Sequence, residues 1–64
     1  MNWESVKGNW HELKGLAKSR WAKLSDDDLM AVAGDRERLV GKLQRHYGLT
    51  REEAEREIDA FRWK

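Results

Sequence analysis

Apolar residues recur at intervals of three and four positions along this 64-residue chain, which is the spacing of one face of an α-helix. The longest series predicts helix 1 from about Trp3 to Lys23; its members are Trp3, Val6, Trp10, Leu13, Ala17, Trp21 and Leu24. A shorter run predicts helix 2; it contains Leu29, Met30, Val32 and Ala33. Two further series predict helices 3 and 4; they are Leu39, Val40, Leu43 and Tyr47, then Ala54, Ile58 and Phe61. The pattern therefore predicts an all-α protein, a small four-helix bundle formed by one domain over residues 1–64.

The residues between these series have the chemistry of helix ends. Ser25 is a suitable N-cap for helix 2, because its hydroxyl can accept a bond from an unpaired backbone N–H of the first turn. The three aspartates at 26–28 then fill that turn, where the positive end of the helix dipole favours carboxylates. We expect Gly34 to end helix 2 and Asp35 to cap helix 3.

The corner between helices 3 and 4 is specified residue by residue. Gly48 follows Tyr47 and can take the left-handed conformation common just past a helix end without steric penalty. Thr50 and Glu53 form a T-x-x-E capping box that predicts the start of helix 4. Leu49 precedes the cap and can pack onto helix 4 as a hydrophobic staple.

Two features leave alternatives open. Gly8, Gly15 and Gly41 fall on the outer faces of the predicted helices, where glycine lowers helix stability by about 0.8–1 kcal/mol relative to alanine. These glycines either let another backbone approach closely or weaken the helices, so that the helices form only when tertiary contacts support them. Trp63 either packs back on the core or hangs free at the end of the chain.

Composition excludes several kinds of site. The chain has no cysteine, so a disulfide, a thiolate zinc site and a cysteine nucleophile are excluded. Three consecutive aspartates on a helix point about 100° apart and cannot converge on one ion. His11 and His46 are too few for a zinc site even if they meet. We therefore predict no metal and no cofactor.

The sequence also argues against an enzyme and against a membrane protein. It has no nucleophile elbow and no glycine-rich phosphate loop after a strand, and it is too short to enclose an ordinary ligand pocket. The apolar runs are too short for a transmembrane helix or a signal peptide. We expect a non-enzymatic, cytoplasmic protein.

Charge is distributed unevenly, and this points to one candidate interaction surface. Residues 1–24 carry five Lys or Arg against two Glu, whereas residues 25–64 carry eight against ten acidic residues. We call Lys7, His11, Lys14 and Lys18 the basic edge, because helical spacing places them along one side of the apolar stripe of helix 1. The basic edge, bordered by Trp10 and Trp21, could meet phosphates or an anionic surface. The alternative is a solvated face whose lysine stems cover the aromatic rings.

With these residues in view, the sequence resembles the CsbD-like family of small bacterial stress-response proteins from Asn2 to about Phe61. The matching segments are Gly8-Asn9-Trp10, Lys14-Gly15, Trp21 to Asp28, Leu39 to Gln44, Tyr47-Gly48 and Ala54-Glu55. The chain departs from the family pattern at Ala22, where glycine is frequent, and at Phe61, where tryptophan is frequent. The resemblance implies a helical bundle, with two helical hairpins packed crosswise as in SAM-like domains, and production under general stress. It brings no catalytic or ligand residues to this chain.

Two functional hypotheses follow. The first is a stress-response protein of unassigned biochemical role that binds or protects other macromolecules; a desiccation protectant is one version, which predicts partial disorder in dilute buffer. The second is a nucleic-acid or anionic-surface binding module that uses the basic edge. The sequence identifies no partner. A protein partner or weak self-association is compatible with it, and nucleic acid is less favoured because the positive charges are few.

Overall fold

The computed structural model describes residues 2–63 and contains helices where the sequence predicts them. Five helices run in order through this part of the chain: α1 (Trp3–Gly8), α2 (Trp10–Arg20), α3 (Asp26–Val32), α4 (Arg36–Tyr47) and α5 (Arg51–Ala60). The all-α prediction is confirmed. Helices α1 and α2 together take the place of predicted helix 1, so the five helices correspond to the four that the sequence predicts.

The prediction of one unbroken helix from Trp3 to Lys23 is wrong at two places. The first is Asn9, where φ is −113° and ψ is 18°, and where α1 gives way to α2. The Asn9 side chain donates to the Ser5 carbonyl oxygen at 3.0 Å, so it competes with regular helix bonding directly after Gly8. The Asn9 backbone still bonds Ser5 on one side and Leu13 on the other, so backbone hydrogen bonding is continuous from α1 to α2.

The second correction concerns the end of the helix. Helix α2 stops at Arg20, three residues before the predicted end, because Trp21 leaves helical geometry with φ −121° and ψ 71°. This turn places both Trp21 and Leu24 in the core, where 1% and 0% of their surface is exposed. Burial of the large indole thus decides where the helix ends.

The predicted helix caps are confirmed. The Ser25 side chain accepts from the Asp28 backbone N–H, and the Asp28 carboxylate accepts from the Ser25 N–H, so α3 begins with a full capping box. Thr50 and Glu53 make the same reciprocal pair at the start of α5. Asp35 caps α4 by accepting from the backbone N–H groups of residues 37 and 38.

The corner between α3 and α4 differs slightly from the prediction. The residue that caps α3 in the left-handed conformation is Ala33, with φ 51°, and Gly34 follows it with φ 78°. Gly34 is buried, and a Cβ atom built on it would lie 2.5 Å from the Lys7 Cα. The backbone of α1 therefore packs directly on this corner, and only glycine fits there.

The apolar stripes of the helices converge on one core. Its buried members are Val6, Trp10, Leu13, Ala17, Trp21, Leu24, Leu29, Val32, Leu39, Val40, Leu43, Ala54, Ile58 and Trp63; Trp3, Tyr47, Leu49 and Phe61 pack against it partly buried. Each helix packs mainly on the next one along the chain. The apolar stripes predicted for helices 1, 3 and 4 are thereby confirmed. Of the run predicted for helix 2, Leu29 and Val32 are buried, whereas Met30 and Ala33 are exposed. The crosswise packing of two hairpins stays a prediction.

The open question about Trp63 is resolved, since its side chain is only 8% exposed. Phe61 leaves α5 in extended geometry, with φ −76° and ψ 140°, and this brings the following residues back onto the core. The Trp63 ring lies 5.2 Å from Trp3, 5.9 Å from Trp10, 6.0 Å from Trp21 and 4.6 Å from Phe61 between ring centroids. We call these five residues the aromatic cluster; it joins the two ends of the described chain.

The outward glycines have no close neighbour. No atom lies within 4 Å of the position that a Cβ would occupy on Gly8, Gly15 or Gly41, apart from their own local backbone. Close packing inside the molecule therefore does not require these glycines. They lower the intrinsic stability of their helices, and the approach of a second molecule to them stays a prediction.

The α3–α4 corner gives a first testable prediction. Gly34→Ala forces a Cβ against the Lys7 backbone in addition to the left-handed strain, whereas Gly48→Ala meets only that strain, at φ 66° in open space. We expect Gly48→Ala to lower the free energy of unfolding by about 1–2 kcal/mol and Gly34→Ala to lower it by clearly more. Urea unfolding of both variants measures the difference. Equal losses would show that α1 does not pack on Gly34.

The aromatic cluster gives a second prediction. Trp63→Ala removes a buried ring and should lower the free energy of unfolding by about 3–5 kcal/mol. This is a large share of the roughly 3–10 kcal/mol that a domain of this size has. Trp63→Phe keeps a ring in place and should lose much less. Urea unfolding followed by far-UV circular dichroism compares the two, and a wild-type-like Trp63→Ala midpoint would contradict the packed position.

Candidate functional site

Helices α1 and α2 carry the basic edge. Lys7 lies on α1, while His11, Lys14 and Lys18 lie on α2. Lys7 and His11 are exposed, and Lys14 and Lys18 are partly buried. Backbone hydrogen bonding continues through the break at residue 9, and the position of the four residues on one side of the molecule stays a prediction from their helical spacing.

Lys18 differs from the other members because it has a structural contact. Its ammonium group donates to the Leu24 backbone carbonyl oxygen at 2.6 Å. That carbonyl lies in the loop between α2 and α3, so the contact ties the loop back onto α2. Lys18 is therefore less available to a partner than its position in the sequence indicated.

The tryptophans beside the basic edge are not available for stacking on a ligand. Trp10 is 7% exposed and Trp21 is 1% exposed. The Trp10 indole N–H donates to the Leu29 carbonyl oxygen at 2.8 Å, a buried bond that holds α2 against α3. Both rings belong to the core, as their helical spacing favours. Neither ring is exposed enough to stack on a base at this surface.

The remaining cations of the basic edge face solvent. Within residues 2–63, no carboxylate lies within ion-pair distance of Lys7 or Lys14. Arginines elsewhere are mostly paired: Arg20 with Glu57, Arg36 with Asp59, and Arg51 with Glu37. Lys7 and Lys14, with the exposed imidazole of His11 between them, can therefore attract an anion without first breaking an ion pair.

A second polar cluster lies between α3 and α4, and the sequence did not reveal it. The Lys42 ammonium is 2.9 Å from one Asp28 carboxylate oxygen, and the His46 Nε2 is 3.2 Å from the other. Hydrogen bonds from Lys42 and from the Ser25 backbone N–H hold the pKa of Asp28 well below its usual range, against a smaller effect of desolvation. The i, i+4 spacing of Lys42 and His46 places them on one side of α4. The sequence alone does not show that their partner, Asp28, lies beside them on α3.

The acidic and histidine residues considered as metal ligands lie on three different helices. His46 contacts Asp28, whereas His11 lies exposed on α2. In the part of the chain that the structure describes, no three His, Asp or Glu side chains are grouped to hold a metal ion. None of the helices described here is long and apolar enough to cross a bilayer.

Comparison with known proteins identifies the family. The sequence model of the CsbD-like family matches residues 4–56, most of the chain. The chain belongs to the CsbD-like family. This places it among bacterial stress-response proteins whose biochemical role is uncharacterised and which are not a known enzyme family. The resemblance noted from the sequence segments is thereby confirmed.

Curated relatives of this CsbD-like protein carry the name UPF0337. A UPF0337 protein of Nitrosomonas europaea is 52% identical over 95% of this chain and 65% of its own length. The UPF0337 protein YjbJ of Escherichia coli K12 is 41% identical over 98% of this chain and the whole of its own. A UPF0337 protein of Pseudomonas aeruginosa is 51% identical over 95% of this chain and 94% of its own. No solved structure matches the chain.

The cluster at Asp28 gives a third prediction, on the pH dependence of stability. Because the pKa of Asp28 is lower in the folded than in the unfolded chain, the unfolded state binds more protons in acid, and stability falls as pH drops. This contribution is complete above about pH 5 and is lost progressively below the unfolded pKa of about 3.9. We expect Asp28→Asn to be less stable at neutral pH and to lose less of its remaining stability in acid.

Urea midpoints of the wild type and Asp28→Asn, measured between about pH 5 and pH 2, test this expectation. The matched control is Asp27→Asn, which removes the same charge from the same helical turn, where Asp27 makes no ion pair within residues 2–63. The control should be the more stable variant at neutral pH. Parallel acid profiles for the wild type and Asp28→Asn would contradict the contact with Lys42.

Proposed function

We propose that this CsbD-like protein is a non-enzymatic, cytoplasmic stress-response protein that binds or protects other macromolecules through its surface. The observation that supports this best is the separation of apolar and charged residues. Leu16 and Met30 are the only exposed large hydrophobic side chains among residues 2–63, while 39% of the chain is charged. Contacts with other molecules would therefore be made mainly by charged and polar side chains on the outside of the bundle.

The packing favours a folded binding protein over a partly disordered protectant. Nine large side chains are less than 2% exposed, and every fully buried side-chain nitrogen and oxygen in the described residues has a hydrogen-bond partner. A core of this kind supports cooperative unfolding in dilute buffer. We therefore give less weight to the desiccation version of the hypothesis, which needs a gain of helix on drying.

The second candidate function is binding of nucleic acid or another anionic surface through the basic edge. The specific observation in its favour is that Lys7 and Lys14 have no carboxylate partner within ion-pair distance in the described chain. Lys18 would contribute through its stem and position, since its ammonium group is bound to the loop carbonyl. Two or three phosphate contacts would give weak and strongly salt-dependent binding.

Our fourth prediction concerns the partner in cells. Chemical crosslinking in stressed and unstressed bacteria, followed by mass spectrometry and nucleic-acid sequencing, should trap a defined partner. Lys7→Glu with Lys14→Glu should abolish that crosslink, because charge reversal removes the attraction to an anionic partner. Lys18 is left intact in this variant, so the loop it holds is not disturbed.

The control reverses two charges elsewhere, in Arg56→Glu with Arg62→Glu; both residues are exposed, and among residues 2–63 Arg56 has only a 3.8 Å ion pair with Glu52. A partner that is lost in the first variant and retained in the control supports a binding module centred on the basic edge. Diffuse crosslinks that neither variant changes would instead indicate bulk protection. Loss of the partner only in the control would assign binding to another face.

A further inference from the structure

An open groove lies between α3 and α4, and none of its lining residues belongs to the basic edge. Its volume is about 420 Å³, and it is lined by Ala31, Arg38, Gly41, Lys42 and Arg45. Three of the five lining residues are cations, and the other two are the smallest residue types. The groove therefore combines positively charged walls with a floor of small residues.

The three cations are placed by the period of α4. Arg38, Lys42 and Arg45 lie at i, i+4 and i+7, so they form a row on one side of the helix that extends over about 10 Å. The apolar side of the same helix, with Leu39, Val40 and Leu43, is buried in the core. The row is therefore held by a helix whose orientation is fixed by packing.

Two of the cations are already oriented toward α3. One Arg38 guanidinium nitrogen donates to the Ala31 carbonyl oxygen at 3.2 Å, which keeps the group at the rim while its other N–H donors stay available. The Lys42 ammonium contacts Asp28, whose carboxylate offsets part of the positive charge and also contacts His46. Arg45 is exposed and has no ion-pair partner within residues 2–63. The groove thus keeps a net positive charge.

The floor of the groove allows close approach of a ligand to the backbone. No atom lies within 4 Å of where a Gly41 Cβ would project, and the Ala31 side chain is a single methyl group. A phosphate oxygen can therefore reach the arginine donors without meeting a bulky side chain. Arginine is suited to this contact because its planar fork binds two phosphate oxygens at once.

Carboxylates at both ends of the groove limit the length of the anion that fits. Asp28 on α3 contacts Lys42 and His46, and Asp35 at the start of α4 accepts from the Arg38 backbone N–H. A long polyanion such as a DNA strand would run past these carboxylates and be repelled. A compact anion would lie between them and meet only the cations.

From these observations we propose that the α3–α4 groove binds a compact anion with two or more linked phosphate groups, such as inorganic triphosphate or the phosphate chain of a nucleotide. This site is separate from the basic edge and does not rest on the function proposed for it. The first contacts are the guanidinium groups of Arg38 and Arg45, and Lys42 exchanges part of its contact with Asp28 for the ligand.

The test is a titration of the ¹⁵N-labelled chain with sodium triphosphate at low ionic strength and neutral pH, followed by amide chemical shifts. We expect saturable shifts centred on Ala31 and residues 38–45. Arg38→Gln with Arg45→Gln should weaken the affinity by about tenfold or more, since each removes a charge-assisted hydrogen bond. The charge-matched control, Arg56→Gln with Arg62→Gln, changes exposed residues that belong to neither the groove nor the basic edge, and it should change the affinity by less than about twofold.

A second pair of variants separates the groove from charge alone. Gly41→Gln keeps every charge and raises helix propensity, but its side chain fills the floor, so binding should be lost. Gly15→Gln makes the same change in open space on α2 and should bind normally. Equal weakening by the Arg38 and Arg45 double variant and by the Arg56 and Arg62 control, or full binding by Gly41→Gln, would overturn the proposal and leave only general charge attraction.

Parallel titrations distinguish the source of the phosphates. Equal affinity for ATP and inorganic triphosphate would support a site for the phosphate chain alone, whereas tighter ATP binding with additional shifts on α3 would support a nucleotide. Binding of a short DNA duplex or of phosphatidylglycerol vesicles in the absence of any triphosphate binding would overturn the proposal. None of these titration results decides whether the basic edge binds a partner, which the crosslinking experiment tests separately.

Discussion

The fold depends on the contact of Trp63 with three tryptophans from the first 21 residues of the chain. Each helix packs chiefly on its neighbour in sequence, so a further contact has to bring the last residues back to the first. Trp63 provides it by lying against Trp3, Trp10 and Trp21 at once. Aromatic pairs at such distances add about 0.5–1.5 kcal/mol each beyond their buried area. In a small domain with one core, that contribution is a substantial fraction of the total stability.

Helix ends were largely predictable because their chemistry is local. A serine, threonine or aspartate before a helix and a glycine after it act within four residues of backbone, so Ser25, Thr50 and Gly48 could be assigned directly. The break at Asn9 was missed because a regular apolar stripe runs through it and only the side-chain bond to the preceding turn reveals it. The return of Trp63 could not be assigned, because it depends on residues more than forty positions away.

The candidate surfaces were likewise predictable only where they depend on residues that are close together in sequence. The basic edge follows from helical spacing on one segment, so the sequence places its residues on one side. The contacts that decide how its members differ, such as Lys18 with the Leu24 carbonyl, form only when the chain turns back. The groove needs α3 and α4 side by side, and the ion pair of Asp28 with Lys42 is formed by that packing. Much of the remaining surface charge is engaged in pairs between helices, and such exposed pairs contribute little individually.

The packing of each helix on the next one along the chain also affects the order in which contacts form during folding. Contacts between consecutive helices close short loops and form early, whereas the aromatic cluster joins residues from opposite ends of the chain and requires the largest loss of chain entropy. We therefore expect the capped corners to be formed in the folding transition state and the Trp63 contacts to be formed after it. Contacts made late on the pathway mainly control the rate of unfolding. Loss of the Trp63 contacts would then limit the rate of unfolding, so these contacts would determine how long each molecule stays folded.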